Sequence, residues 1–264
     1  MSCPSASLAV WTAAWLHGSA AADDVLDALQ PWGLRHEIVA ADDEAAEALE
    51  LPMDGESPAT PVQLLGSLRR CGTVGARLVI PVAGDVRGLG GKSEFASAAL
   101  RAGEAALLTG TRFGVVPRVV ADQVLRWTVF ALGTAPVLEH VGLGEAEHEL
   151  SEALRTSAGT LQSLEVARGR PGVRQELRDR LAKLPELEWP AGMPQRALRV
   201  LQRASEVDTI LALAAEDEPG GALSSSAASQ RADALRPLDT AVRTARRAAV
   251  NEAARAFSDH ADQH

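Results

Sequence analysis

The sequence predicts a protein of the α+β or α/β class, with an N-terminal mixed α/β part carrying a small sheet and an all-helical C-terminal part of about four helices. Three observations predict it. Apolar runs of strand length alternate with short helical patterns up to about residue 133. A glycine- and proline-containing stretch, "GTAPVLEHVGLG", follows them as a candidate linker. From Glu145 to the end only helical periods remain. The parts are placed at residues 1–142 and 143–264, either as separate domains or packed as one body.

The elements follow in order. Ser7 to His17 reads as an amphipathic helix, with Leu8, Trp11 and Trp15 about one turn apart and Gly18 as its stop. Asp23 or Asp24 opens a second helix, which Pro31 and Gly33 end. "LRHEIVAA" reads as a strand and "EAAEALEL" as a short helix. "PMDGESPATP" is a loop by composition, and "VQLLGSLRR" is a helix. "ARLVIPVA" is a continuous apolar run, which suits a strand covered on both faces, although Pro81 lacks the N–H a ladder needs. A helix is expected from about Glu94 to Arg101. "FGVVPRVV" and "LRWTVFAL", joined by "ADQ", read as a hairpin.

The helical part shows four apolar faces. They run through Leu150, Leu154, Leu161 and Leu164; through Val173, Leu177, Leu181 and Leu184; through Val200, Ala204, Val207, Leu211 and Ala214; and through Leu235, Leu238, Val242, Ala245 and Ala249. "EDEPGGALSSSAAS" separates the last two as a polar loop.

Composition bounds function. The 264 residues suffice to bury a core, and 46% are apolar. A net charge of −9 repels nucleic acid and anionic lipid unless a basic patch intervenes. Arg243, Arg246 and Arg247 form the densest basic group, and with Asp239 and Glu252 beside them they read as a solvated helix face. No nucleic-acid or membrane partner is therefore expected. Two lysines stand against two dozen arginines, a usage that accompanies G- and C-rich codons. Arginine- and alanine-rich stretches are discounted as signals for that reason. Cys3 and Cys71 are too few for a disulfide framework or a zinc site. "LAVWTAAWL" lacks the basic residues that precede a signal core and is too short to span a bilayer, so a cytoplasmic location is expected.

The stretch "GDVRGLGGKSEF" invites comparison with a phosphate-binding loop. Gly91, Lys92 and Ser93 fit the end of that motif, but the residue five before Gly91 is Val86 where a glycine is required. A weaker anion-binding site remains, made by Gly88, Gly90, Gly91, Lys92 and Ser93 within the loop 84–93, with backbone N–H groups and a helix N-terminus facing the anion. The competing reading makes Ser93 a helix cap and the glycines a tight turn. Glu145 and His148 have the spacing of a carboxylate-bridged metal element, yet the second copy such sites need is missing. Asp259, His260 and His264 read as a polar tail, and His17 and His36 lack assignable catalytic partners. The sequence thus nominates no catalytic residue, no metal site and no cofactor. It points to a non-catalytic binding or regulatory protein that uses its helical half towards a protein partner or a second copy. The alternative is an enzyme or sensor that holds a phosphorylated small molecule at residues 84–93.

Overall fold

The computed structural model describes residues 3–134, 136, 140–163, 172–182, 187–216 and 225–261. They fall into two compact units. One is drawn from residues 2–140, 187–194 and 250–264, and the other from 141–186 and 195–249. The class is α+β: a five-stranded mixed sheet with helices, then four described helices.

The first unit is built around α1 (Pro4–Leu16). Proline suits the first helical position because its fixed φ is already helical, so the helix starts three residues earlier than the apolar spacing suggests. It is not amphipathic. Every residue from Ser5 to Trp15 is buried, as befits a helix that is apolar all round. One side packs on the sheet, against β2 (Gly75–Val79), β3 (Ala105–Thr109) and β4 (Phe113–Ala121). Trp11 and Trp15 meet Val25 of α2 (Ala22–Leu29) and Leu65 of α4 (Pro61–Arg70). The Arg69 guanidinium carbon stands 4.0 Å from the centre of the Trp15 ring. Gly18 ends the helix region with a φ of 76°.

The strand order is β1-β5-β4-β3-β2, where β1 is Arg35–Ala40 and β5 is Val124–Ala131. Only the β1–β5 pair is parallel, with Ile38 opposite Trp127. The expected hairpin is β4–β5, with Gln123 at a φ of 56° in its turn. The strand at "ARLVIPVA" stops at Val79, since Pro81 cannot donate to a ladder. β3, "AALLT", escapes the sequence reading because alanine and leucine are poor markers of a strand. It follows α5 (Glu94–Ala102) directly after Gly103, whose φ of 75° ends that helix.

α5 covers the face of the sheet opposite α1. Phe95 of α5 lies over Gly114 of β4, where an added Cβ would come within 2.5 Å of the phenyl ring. Its ring meets Phe130 edge-on at 6.0 Å between centroids. Both sheet edges are covered. At β1, Ile38 exchanges two backbone hydrogen bonds of 2.9 Å with Ala59, and the Ala40 N–H donates to the Pro52 carbonyl. α3 (Asp43–Leu49) and the loop after it lead the chain to that edge. At β2, the Leu78 N–H donates to the Asn251 side chain at 2.8 Å.

The second unit contains α6 (Leu143–Ser163), α7 (Val173–Ala182), α8 (Gln195–Glu216) and the greater part of α9 (Ser225–Ala261). Leu150, Val200, Ala204, Val207, Leu238, Val242, Ala245 and Ala249 are buried as the periods imply. Leu164 and Leu184 lie outside the described residues. Pro237 interrupts α9 and withholds the N–H that the Asp233 carbonyl would otherwise receive. One residue on, the Ala234 carbonyl accepts from Ser157 Oγ of α6 at 2.9 Å. No helix among the described residues is long and apolar enough to cross a membrane.

The arginines of α9 depart from the sequence reading. Arg246 is only 8% exposed, and the side chain of Arg243 only 12%. Arg246 turns towards α8, where Asp208 stands 3.7 Å away, while Arg243 pairs with Asp239 one turn earlier on α9. Long apolar stems allow arginine to lie along such a seam, which charge counting along the chain does not reveal.

Candidate functional site

Between β2 and α5 the chain makes the glycine loop. Val82 and Asp85 exchange backbone hydrogen bonds of 3.0 and 2.9 Å around Gly84. Gly88, Gly90 and Gly91 all have positive φ, at 86°, 73° and 105°, conformations that residues with side chains rarely adopt. Leu89 between them is 3% exposed and anchors the loop in the core under α5. Ser93 is the N-cap of α5, its Oγ accepting from the Ala96 N–H at 3.0 Å. Arg87 is held by Asp85 through two hydrogen bonds of 2.8 Å. Lys92 is exposed at the loop's end. The five residues singled out in the sequence lie in one short turn that ends at the N-cap of α5.

His36 and His17 are both held by hydrogen-bond partners within the fold. His36 Nδ1 accepts from the Trp127 indole N–H at 3.0 Å, and the two rings stack at 6.1 Å. That bond puts the imidazole proton on Nε2, a buried atom without a hydrogen-bond partner. Burial holds the imidazole below its usual value near 6.5. The carbonyls of Gly33 and Leu29 favour the charged form, yet burial prevails. His17 Nε2 lies 2.8 Å from the Val74 carbonyl and 3.0 Å from Ser258 Oγ. A carbonyl can only accept, so Nε2 carries the proton there too. Glu145 and His148 are both exposed, and no group of metal-ligating side chains occurs among the described residues. Asp259 is paired with Arg255, while His264 lies outside the described residues.

The second unit holds two features that motif spacing did not single out. Beside Pro237 a groove of about 380 Å³ runs between α6 and α9, with Thr156, Thr160, Gln230 and Ala234 among its walls. Farther along α9, Arg246 faces Asp208 of α8, and Arg243 pairs with Asp239 of its own helix. The Nε of Arg246 is buried and makes no hydrogen bond.

Two family descriptions match the chain in succession. The Rv1486c-like protein N-terminal domain covers residues 5–141, and the Rv1486c-like protein C-terminal domain covers residues 144–247. The chain belongs to the Rv1486c-like family. It is similar to Rv1486c of Mycobacterium tuberculosis (strain ATCC 25618 / H37Rv), with 40% identity over 285 residues that span 95% of this chain and 96% of that protein. It is also similar to ML1804 of Mycobacterium leprae (strain TN), at 35% identity over 95% of this chain and 97% of that one. MAV321 of Mycobacterium avium is 34% identical over the same shares. No solved structure matches.

For this Rv1486c-like chain, the sequence did contain signals for both features. Pro237 stands inside an otherwise helical period, and the three arginines share one helical turn. Neither signal says which way the helix faces.

Proposed function

We propose that this Rv1486c-like protein is a non-catalytic binding protein that takes an amphipathic helix of a protein partner on its helical unit. The groove beside Pro237 is the observation that carries this reading. Thr156 and Thr160 of α6 and Ala234 and Pro237 of α9 line it, and along α9 its walls run from Gln230 to Pro237, about two helical turns. An aliphatic anchor from a partner helix finds apolar contact there, with polar ends nearby to fix its register.

The alternative, a phosphorylated small molecule at Gly88–Ser93, has less behind it. Arg87 is already engaged by Asp85, and the Ser93 hydroxyl caps α5. Among the described residues of the loop, Lys92 is the cation left to meet the charge.

A photo-crosslinking residue placed at Thr160 in the full chain, in the native cell, tests the reading. The expected result is one discrete adduct with another protein, lost when Ala234 is replaced by tryptophan to fill the groove. A dimer-sized adduct would instead make a second copy the occupant. Adducts no different from those of a crosslinker at exposed Arg118 would overturn the proposal.

A further inference from the structure

The hydrogen-bonding groups of the groove beside Pro237 define what its occupant has to bring. Gln230, Asp233, Ala234 and Pro237 lie three and four residues apart, so one face of α9 supplies a wall. A helix carbonyl points along the axis towards the residue four positions on, and for Asp233 that residue is Pro237. Proline has no N–H, so the Asp233 carbonyl stands between two wall residues without its helical donor. The hydroxyls opposite do not replace it. Ser157 Oγ gives its proton to the Ala234 carbonyl at 2.9 Å, and Thr160 Oγ1 gives its own to the Thr156 carbonyl at 3.0 Å. The Asp233 carboxylate adds negative charge at the same end. Arg236 pairs with it at 2.6 Å, but the two side chains are 75% and 58% exposed, and so open a pair yields readily to a competing cation.

We infer that the groove takes, beside the aliphatic anchor of its partner helix, a lysine or arginine whose stem lies along Ala234 and Pro237 and whose cationic head donates to the Asp233 carbonyl. This rests on the reading of the groove as a helix-binding site. Lysine and arginine join a long aliphatic stem to a head that has donors and no acceptor. A second aliphatic residue at that place would cover the carbonyl and leave it without a partner, which is costly. A carboxylate would meet a carbonyl it cannot bond and the like charge of Asp233. Water can satisfy the carbonyl until an occupant displaces it, and the displacing group must then replace that hydrogen bond. The net charge of −9 draws a basic segment towards the surface as well.

The test starts from the adduct formed at Thr160 in the native cell. Its crosslinked peptide is sequenced, synthesised and titrated against the full chain by fluorescence anisotropy. Replacing the lysine or arginine nearest the crosslink with norleucine, which keeps a stem and removes the head, should weaken binding about tenfold or more. In Pro237→Ala the backbone regains an N–H for the Asp233 carbonyl, and the same replacement should then cost less than about threefold. A merely structural role of Pro237 would move both peptides alike. Arg236→Gln removes the competing cation and should tighten the natural peptide while leaving the norleucine peptide unchanged. A peptide that binds equally well without its cations, or a norleucine penalty that is the same in Pro237→Ala, would overturn the inference and leave the groove reading standing. Absence of a discrete adduct at Thr160 would remove the groove reading and this inference with it. If Pro237→Ala does not fold, Arg236→Gln decides: no gain for the natural peptide overturns the assignment.

Discussion

The side chain of Asn251, near the end of the last helix, accepts the backbone N–H of Leu78 on the edge strand β2 at 2.8 Å. Residues 173 positions apart thereby meet at the β2 edge of the sheet. An edge strand left open is a template for pairing with another chain, so this bond guards against aggregation as well as joining the C-terminus to the sheet. Replacing Asn251 with leucine leaves a donor without its acceptor. We expect a loss of about 1–3 kcal/mol in urea denaturation. Asn251→Asp retains an acceptor and should lose less, and equal losses in both variants would contradict the assignment.

His36 and Trp127 make stability depend on pH in a defined direction. Burial lowers the folded-state pKa of His36 below its usual 6.5, so the unfolded chain binds the extra proton first. The contribution is complete above about pH 6.5 and is lost as the pH falls from there through the folded value. Protonation of Nδ1 would also abolish its bond from the Trp127 indole. Urea midpoints measured between pH 8 and pH 5 should fall less steeply in His36→Asn, which offers an acceptor but does not titrate. Identical slopes would show that other groups set the pH dependence.

Gly114 is required by space. A methyl group there would press into the Phe95 ring at 2.5 Å, and the ring is fixed in the core by Phe130 and Leu107. Gly114→Ala should destabilise by about 1–3 kcal/mol, the usual cost of overpacking. Phe95→Leu in the same chain should recover part of that loss. Chemical denaturation of the two single variants and the double variant gives the coupling, and strict additivity would refute the contact.

The glycine loop separates a cap from a charge. Ser93→Ala removes the acceptor for the Ala96 N–H and should cost about 0.5–2 kcal/mol. Lys92→Ala, at an exposed position, should lie within about 0.5 kcal/mol of the wild type. If residues 88–93 hold a phosphorylated ligand, the same Lys92→Ala variant loses roughly 1.5–3 kcal/mol of its affinity. Calorimetric titration with phosphate and nucleotides reads that loss directly.

Much of the architecture is local information. The end of the first helix at Gly18, the Asp42 and Ser93 caps, the β4–β5 hairpin and the helical periods after residue 143 all follow from side chains within a few positions of one another. So did the fold class and the position of the glycine loop. The tertiary structure decided what depends on distant partners. It made "AALLT" a strand because β2 and β4 flank it, and it buried α1 on every side because sheet and helices enclose it. It also brought Asn251 back to Leu78 and turned Arg246 inward against Asp208. Periodicity tells which residues share a face of a helix. What that face meets depends on contacts far apart in the chain, and those exist only once the chain has packed.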